Sequence, residues 1–322
     1  MTPALVMLGY AGALAWLGPA PLARLTARGV NARLGLAVWL VAVASALTSA
    51  VIAVSFLVRA AVAGWPTFAG TICRSVYGGT CPPQVYRSAL FELSLAAASG
   101  VAVLILVTLT WQYSRTVHRS RQRAREHAQA ARITGRRFPA EGAEGIAEGI
   151  PALSTAVVLE AEQPAVYCVP GRPATIVLTT GALAVLGPAQ LLAVLAHERA
   201  HLAGRHHLLI TLGKAMRVGL PAVPLFTRGA EEVARLAEMR ADDVAARRSG
   251  RETLLQALVA MGTRTPLPTP AAALAATGGV VSARVSRLLD PPGRTSRACH
   301  GLALSAVLLA LAAVSVLLPV LS

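Results

Sequence analysis

Four stretches of this 322-residue chain run for about twenty positions with almost no charge, the length a helix needs to cross a bilayer core. They are Ala4–Leu22, which ends in prolines, Leu34–Val58, Ala89–Trp111, charged only at Glu92, and Gly301–Leu321. The first lacks the basic lead-in of a signal peptide and is counted as a retained helix. A fifth apolar stretch, His207–Phe226, holds Lys214, Arg217 and two prolines. It reads as a buried or membrane-surface helix rather than a span.

Between the third and fourth spans the pattern changes. Residues 112–152 read as a basic helix, solvated and facing anionic headgroups, followed by an Ala-Glu-Gly linker. Three short β-branched runs follow, Thr155–Leu159, Ala165–Val169 and Thr175–Thr179, separated by proline and glycine turn signals. Apolar positions at helical spacing then predict helices over Ala189–Ala203 and Ala230–Arg248, while 262–280 reads as a loop. The expected fold is an α-helical membrane protein, three plus one spans, with an α+β domain inserted over 153–298. The spans fall at about 4–22, 34–58 and 89–111, within residues 1–111, and the fourth within 299–322.

Composition agrees with the pattern. Only 14% of residues are charged and 55% are hydrophobic, whereas soluble domains carry about 25% charged residues. A disordered chain is excluded, and the composition argues against an ordinary soluble enzyme. The net charge of +15 rests on 29 arginines and the single lysine Lys214, which suits compositional bias as well as any partner. No nucleic-acid partner is inferred from it; the bilayer is the expected partner surface.

Orientation follows from where the arginines sit. Arg24, Arg28 and Arg33 lie between spans one and two, and eight more arginines follow span three, so both segments are expected on the cytoplasmic side. That places both termini outside and the inserted domain inside, in a multi-pass protein of the cell membrane. Cys73 and Cys81 then share the outer loop and are candidates for a disulfide. Cys168 and Cys299 fall inside, where thiols stay reduced.

The chemistry is concentrated in His197-Glu198-Arg199-Ala200-His201, within the first predicted helix. Histidines four apart project from one helical face and can hold one metal ion, and Glu198 beside them can take a proton from water activated there. Downstream, Glu238 and Asp242 stand four apart on the second helix. Glu238 is the candidate third ligand, with Glu231 and Glu232 as alternatives, and Asp242 is the candidate acceptor for a ligand histidine. A plainer reading pairs these carboxylates with Arg235, Arg240 or Arg247. His206 and His207 are candidates for oxyanion stabilisation or a second metal, or simply cap and pack the helix end. The ligand types favour one Zn2+ per chain. An extended substrate is expected along the sheet edge near Thr175–Thr179.

These residues, His197-Glu198-x-x-His201 and Glu238-x-x-Ala241-Asp242 in a loop after three spans and before a fourth, resemble the BlaR/MecR-type membrane metallopeptidases. Arg284–Leu288 resembles the helix before that family's last span. HtpX-like and CAAX-processing membrane peptidases share both motifs, so the motifs alone indicate the wider gluzincin group. The resemblance implies His197, His201 and Glu238 as zinc ligands, Glu198 as general base and Asp242 behind the ligands. It implies a zinc endopeptidase acting on a cytoplasmic winged-helix repressor, within signal transduction. Only Ser322 follows the fourth span, so a short form without the extracellular penicillin-binding sensor is expected. His206 stands where the antirepressors usually carry Asp. The alternatives are an HtpX-like quality-control protease and a non-proteolytic scaffold with a structural metal. Oligomerisation is left open.

Overall fold

The computed structural model describes residues 2–76, 83–138, 156–171, 173–262 and 281–321. The Ala-Glu-Gly linker and all but the first residue of the 262–280 loop lie outside them, as do Cys81 and hence the proposed Cys73–Cys81 pairing.

The chain opens with α1 (Thr2–Trp16) and α2 (Pro19–Thr26), followed by the long helices α3 (Ala32–Val76) and α4 (Pro83–Thr134). Three helices among the described residues are long and apolar enough to cross a membrane: Ala32–Ala61 in α3, Ala96–Thr134 in α4, and α11 (Arg294–Leu321) over Arg294–Leu318. The bent pair α1–α2 makes a fourth if it is one span. The expected first span is therefore not one helix but two, bent by 46°. Pro19 begins α2 and lacks the N–H that would bond back to the preceding turn, so the helix breaks beside Gly18.

The inserted elements are β1 (Arg136–Arg137), β2 (Ala156–Leu159), β3 (Val166–Val169), β4 (Thr175–Thr179), α5 (Thr180–Val185) and α6 (Pro188–Ala203). Then come α7 (His206–Gly219), α8 (Pro224–Ser249), α9 (Arg251–Gly262) and α10 (281–289). The stretch His207–Phe226 resolves into α7 and the first turn of α8. At 14 residues α7 is too short to span.

The sheet order is β1-β2-β4-β3, with β2 and β4 parallel and the other pairs antiparallel. Thr175–Thr179 is consequently interior, flanked by β2 and β3. The edge that could accept an extended peptide is β3, and the expectation for β4 is corrected. Strand order depends on long-range pairing that local pattern does not encode.

One face of the sheet packs on α6, through Ile176, Leu178, Leu191, Val194 and Leu195. The other face packs on the end of α4, where Ala124, Ala128 and Ala131 meet Val157, Val169 and Val177. The basic helix is therefore not a fully solvated extension. Its buried stripe is made of alanines at helical spacing, too small to stand out as apolar periodicity among the arginines. Arg132 adds a donated bond of 2.9 Å from Nε to Thr175 Oγ1.

A second core joins the apolar helices to α8: Leu36, Val38 and Trp39 of α3 and Leu304 of α11 enclose Leu225, Val233, Leu236 and Met239. Polar bonds lock the same contact. Trp39 Nε1 donates to Thr26 Oγ1 at 3.1 Å, and Arg235 donates to the carbonyls of Thr26 and Ala27 at the end of α2, both at 2.9 Å. Gly29 follows in a left-handed conformation, φ +56°, and a Cβ there would stand 2.2 Å from Met239 Sδ. Gly29→Ala is therefore expected to destabilise the protein by about 2 kcal/mol, from backbone strain plus overpacking. Thermal unfolding of the full chain in detergent checks this, and an unchanged midpoint refutes it.

Candidate functional site

α6 begins at Pro188, whose fixed φ suits a first helical position, behind Gly187, whose N–H is taken by Gln190 Oε1 at 3.0 Å. Leu191, Val194 and Leu195 anchor it to the sheet, which turns His197 and His201 together toward α8. Their Nε2 atoms are 3.1 Å apart. Glu238, projecting from α8, completes the group, with Oε2 3.4 Å from His197 Nε2 and Oε1 3.3 Å from His201 Nε2. These three are the residues among those described whose donor atoms converge closely enough to hold a metal ion, all within 4.8 Å of one another.

The separations fit a small tetrahedral cation. Zinc with Zn–N distances of about 2.0–2.1 Å places its donors roughly 3.3 Å apart. The alternatives for the third ligand are occupied elsewhere. Glu232 is bonded to Arg235 and Thr26, and Glu231 lies 3.7 Å from Arg217.

Behind His197 stands Asp242, 1% exposed, with Oδ1 3.0 Å from His197 Nδ1 in a contact too bent for a straight hydrogen bond. Sequence reading offered Arg235, Arg240 and Arg247 as partners for the two α8 carboxylates. The structure supplies Arg284 of α10 instead. Arg284 Nε and Nη2 each donate to Asp242 at 2.7 Å, and Nη1 lies 3.2 Å from Glu238 Oε2. The neighbouring pair repeats the pattern, Arg287 donating to Asp243 at 2.8 Å. Nothing local marks Arg284 as this partner: it is 42 residues from Asp242, in a chain of 29 arginines.

His206 lies behind the other histidine. Gly204 ends α6, Arg205 takes a left-handed turn at φ 49°, and α7 starts at His206, whose Nδ1 is 3.1 Å from His201 Nδ1. A side chain at position 204 would displace His206, because its Cβ would lie 2.3 Å from His206 Nε2. His206 is 3% exposed, so it faces the back of His201 rather than an open cleft. His207 instead has Arg121 and Arg205 as its charged neighbours.

Burial and these contacts set the protonation. Burial alone would depress His197, but the Asp242 and Glu238 carboxylates overcome it and lift its pKa to about 9. Burial would raise Glu238 and Asp242. The two histidines beside Glu238, and His197 together with the Arg284 guanidinium beside Asp242, hold both below the usual carboxylate range instead. Burial drops His206 to about 4, so its ring is neutral at physiological pH.

Glu198, the residue after His197 on α6, lies between the histidine pair and the strand β3. Its Oε2 accepts the backbone N–H of Cys168 at 2.9 Å, and burial raises its pKa. In the antiparallel β3–β4 register, Tyr167 lies opposite Val177 and Cys168 opposite Ile176. Ladder groups alternate in direction, so the Cys168 N–H faces away from β4, on the edge that no other strand covers among the described residues. The Cys168 thiol is pushed upward by burial and by the Glu198 charge, and Cys168 and Cys299 are both free thiols.

Residues 143–227 match the sequence model of peptidase family M48. The match spans well under half the chain, taking in His197, Glu198 and His201 and stopping before Glu238. It makes that segment similar to a metal-dependent peptidase. No curated protein and no solved structure matches the chain.

Removing Arg284 would leave the buried Asp242 and the half-buried Glu238 short of their cation. Arg284→Leu is expected to lower stability by about 3–5 kcal/mol, the cost typical of breaking a buried ion pair. The double variant with Asp242→Asn should recover part of the loss. Chemical unfolding in detergent measures both, and wild-type stability in the single variant refutes the assignment.

Proposed function

We propose that the protein is a membrane-embedded, zinc-dependent endopeptidase that hydrolyses peptide bonds at the cytoplasmic face. The observation that carries this reading is the convergence of His197, His201 and Glu238 with Glu198 on the same helix, beside an open strand edge. The segment's similarity to peptidase family M48 supports the same reaction class. Zinc held by these three residues would supply Lewis acidity, polarising the scissile carbonyl and lowering the pKa of water.

The chain's own groups do the rest. Glu198 is the general base. With Oε2 held by Cys168, Oε1 is the atom that takes the proton from water and passes it to the departing amine. Its raised pKa brings it nearer the working pH, where proton transfer in both directions is efficient. Asp242 and Arg284 orient His197, and His206 accepts at the back of His201 in its neutral form, so each ligand ring keeps one tautomer. The β3 edge can hold an extended peptide by backbone pairing, which selects an unfolded segment rather than a side chain.

Within this reading we favour regulatory cleavage of one protein, such as a winged-helix repressor, over general clearance of misfolded membrane proteins. The support is the resemblance in span arrangement and motif order. Product profiling separates the two, one cleavage site against many.

The decisive experiment compares metal content and peptidase activity in detergent-purified protein. About one zinc per chain is expected, kept in Glu198→Gln and lost or weakened in His197→Ala and Glu238→Ala. Activity on an unfolded protein substrate should fall roughly 10²–10⁴-fold in Glu198→Gln. A metal-free wild type, prepared folded and metal-replete, overturns the enzyme reading in favour of a scaffold.

The protonation state adds an independent readout. Metal-free His197 carries a proton at neutral pH, and a ligand histidine must give it up. Metal uptake at pH 7 should therefore release a proton, detected as a calorimetric heat that varies with buffer. Affinity should climb up to about tenfold per pH unit until His197 deprotonates near pH 9. Buffer-independent heat would refute His197 as a ligand.

A further inference from the structure

The face of α8 opposite Glu238 and Asp242 changes character along its length. At 100° per residue it presents Leu225, Val233 and Leu236 to the spans, and then Arg240, Asp243 and Arg247. The second half borders a cavity of about 830 Å³, lined also by Arg33, Arg251, Arg287 and Arg297. Six guanidinium groups thus face one acid, Asp243, which Arg287 already engages. Among the described residues, Arg33, Arg240, Arg247 and Arg251 make no ion pair. Arg287, its side chain only 10% exposed, also keeps Nε buried without a hydrogen-bond partner. Like charges gathered in a concave site repel one another unless an anion joins them.

Position narrows the anion. The cavity lies where two apolar helices begin, α3 at Ala32 and α11 at Arg294, and Asn31 ties these ends by donating to the Arg297 carbonyl at 2.8 Å. Both helices direct their positive N-terminal dipoles to this level, the level of lipid headgroups if they span a bilayer. The volume suits a small ligand, and arginine forks match phosphate oxygens.

We propose that this cavity is a binding site for a phosphate-bearing group, the headgroup of an anionic phospholipid or a soluble diphosphate. The site is separate from the histidine centre, and its occupancy does not depend on peptidase activity.

The test uses the full chain in neutral detergent micelles, titrated with short-chain phosphatidic acid, with phosphatidylcholine and with inorganic pyrophosphate, following the thermal midpoint. Phosphatidic acid should raise the midpoint by several degrees near saturation, and phosphatidylcholine should not. The Arg33→Gln/Arg247→Gln/Arg251→Gln variant should bind at least about tenfold more weakly. Arg119→Gln/Arg123→Gln/Arg125→Gln, which removes three exposed charges from α4, should bind as wild type. Pyrophosphate that competes with the lipid identifies the phosphate itself as the recognised group. A shift with lipid alone assigns the site to headgroups, and a shift with pyrophosphate alone assigns it to soluble diphosphates. No shift in wild type with either anion, or equal weakening in both variants, overturns the proposal. The wild-type titration decides even if the cavity variant fails to fold.

Discussion

A carboxylate that is 1% exposed has to find its counter-charges inside the protein, and Asp242 finds them on two other helices. Arg284 of α10 meets both its oxygens, and His197 of α6 stands 3.0 Å from one of them. An isolated buried charge would cost several kcal/mol, so the three helices are held to one another by a requirement stronger than packing. Glu238 lies one turn before Asp242 on the same face, so fixing Asp242 also aims Glu238 at the two histidines. The four-residue spacing appears twice, His197/His201 on α6 and Glu238/Asp242 on α8, and the site is where those faces meet.

The two helices are rooted in different places. α6 belongs to the sheet, through Leu191, Val194 and Leu195. α8 belongs to the apolar helices, through Val233, Leu236 and Met239 against Trp39, with Arg235 fastened to the end of α2. α4 closes the circuit, because the helix that carries an apolar stretch at Ala96–Thr134 ends by packing on the sheet. The inserted elements are therefore built against the apolar helices from two sides.

Local features were legible in the sequence because they are local. Thr175–Thr179 was recognisable from its β-branched run, α6 from its leucines and Gly187-Pro188, and the histidine pair from its spacing. The failures share a different origin. The interior position of β4, the alanine stripe of α4 and the Arg284 partner all depend on which distant segment comes to lie alongside. In the α4 case the signal was present but carried by residues with only one methyl group. In the Arg284 case the abundance of arginine hid the one that mattered. The bend at Pro19 was visible as a proline near the end of what the pattern reads as one continuous span.

The similarity to peptidase family M48 stops at residue 227, whereas the candidate metal group reaches on to Glu238. Two donors and Glu198 sit in one helix, whose placement the sheet determines. The third donor is added by a helix whose placement the apolar helices determine, with Leu236 at 0% exposure two residues before Glu238. A shift of α3 against α8 would move Glu238 relative to His197 and His201 before it disturbed either histidine. The position of one candidate donor out of three is thus set at the apolar-helix interface, and Asp242 with Arg284 is the joint that ties it to the histidines.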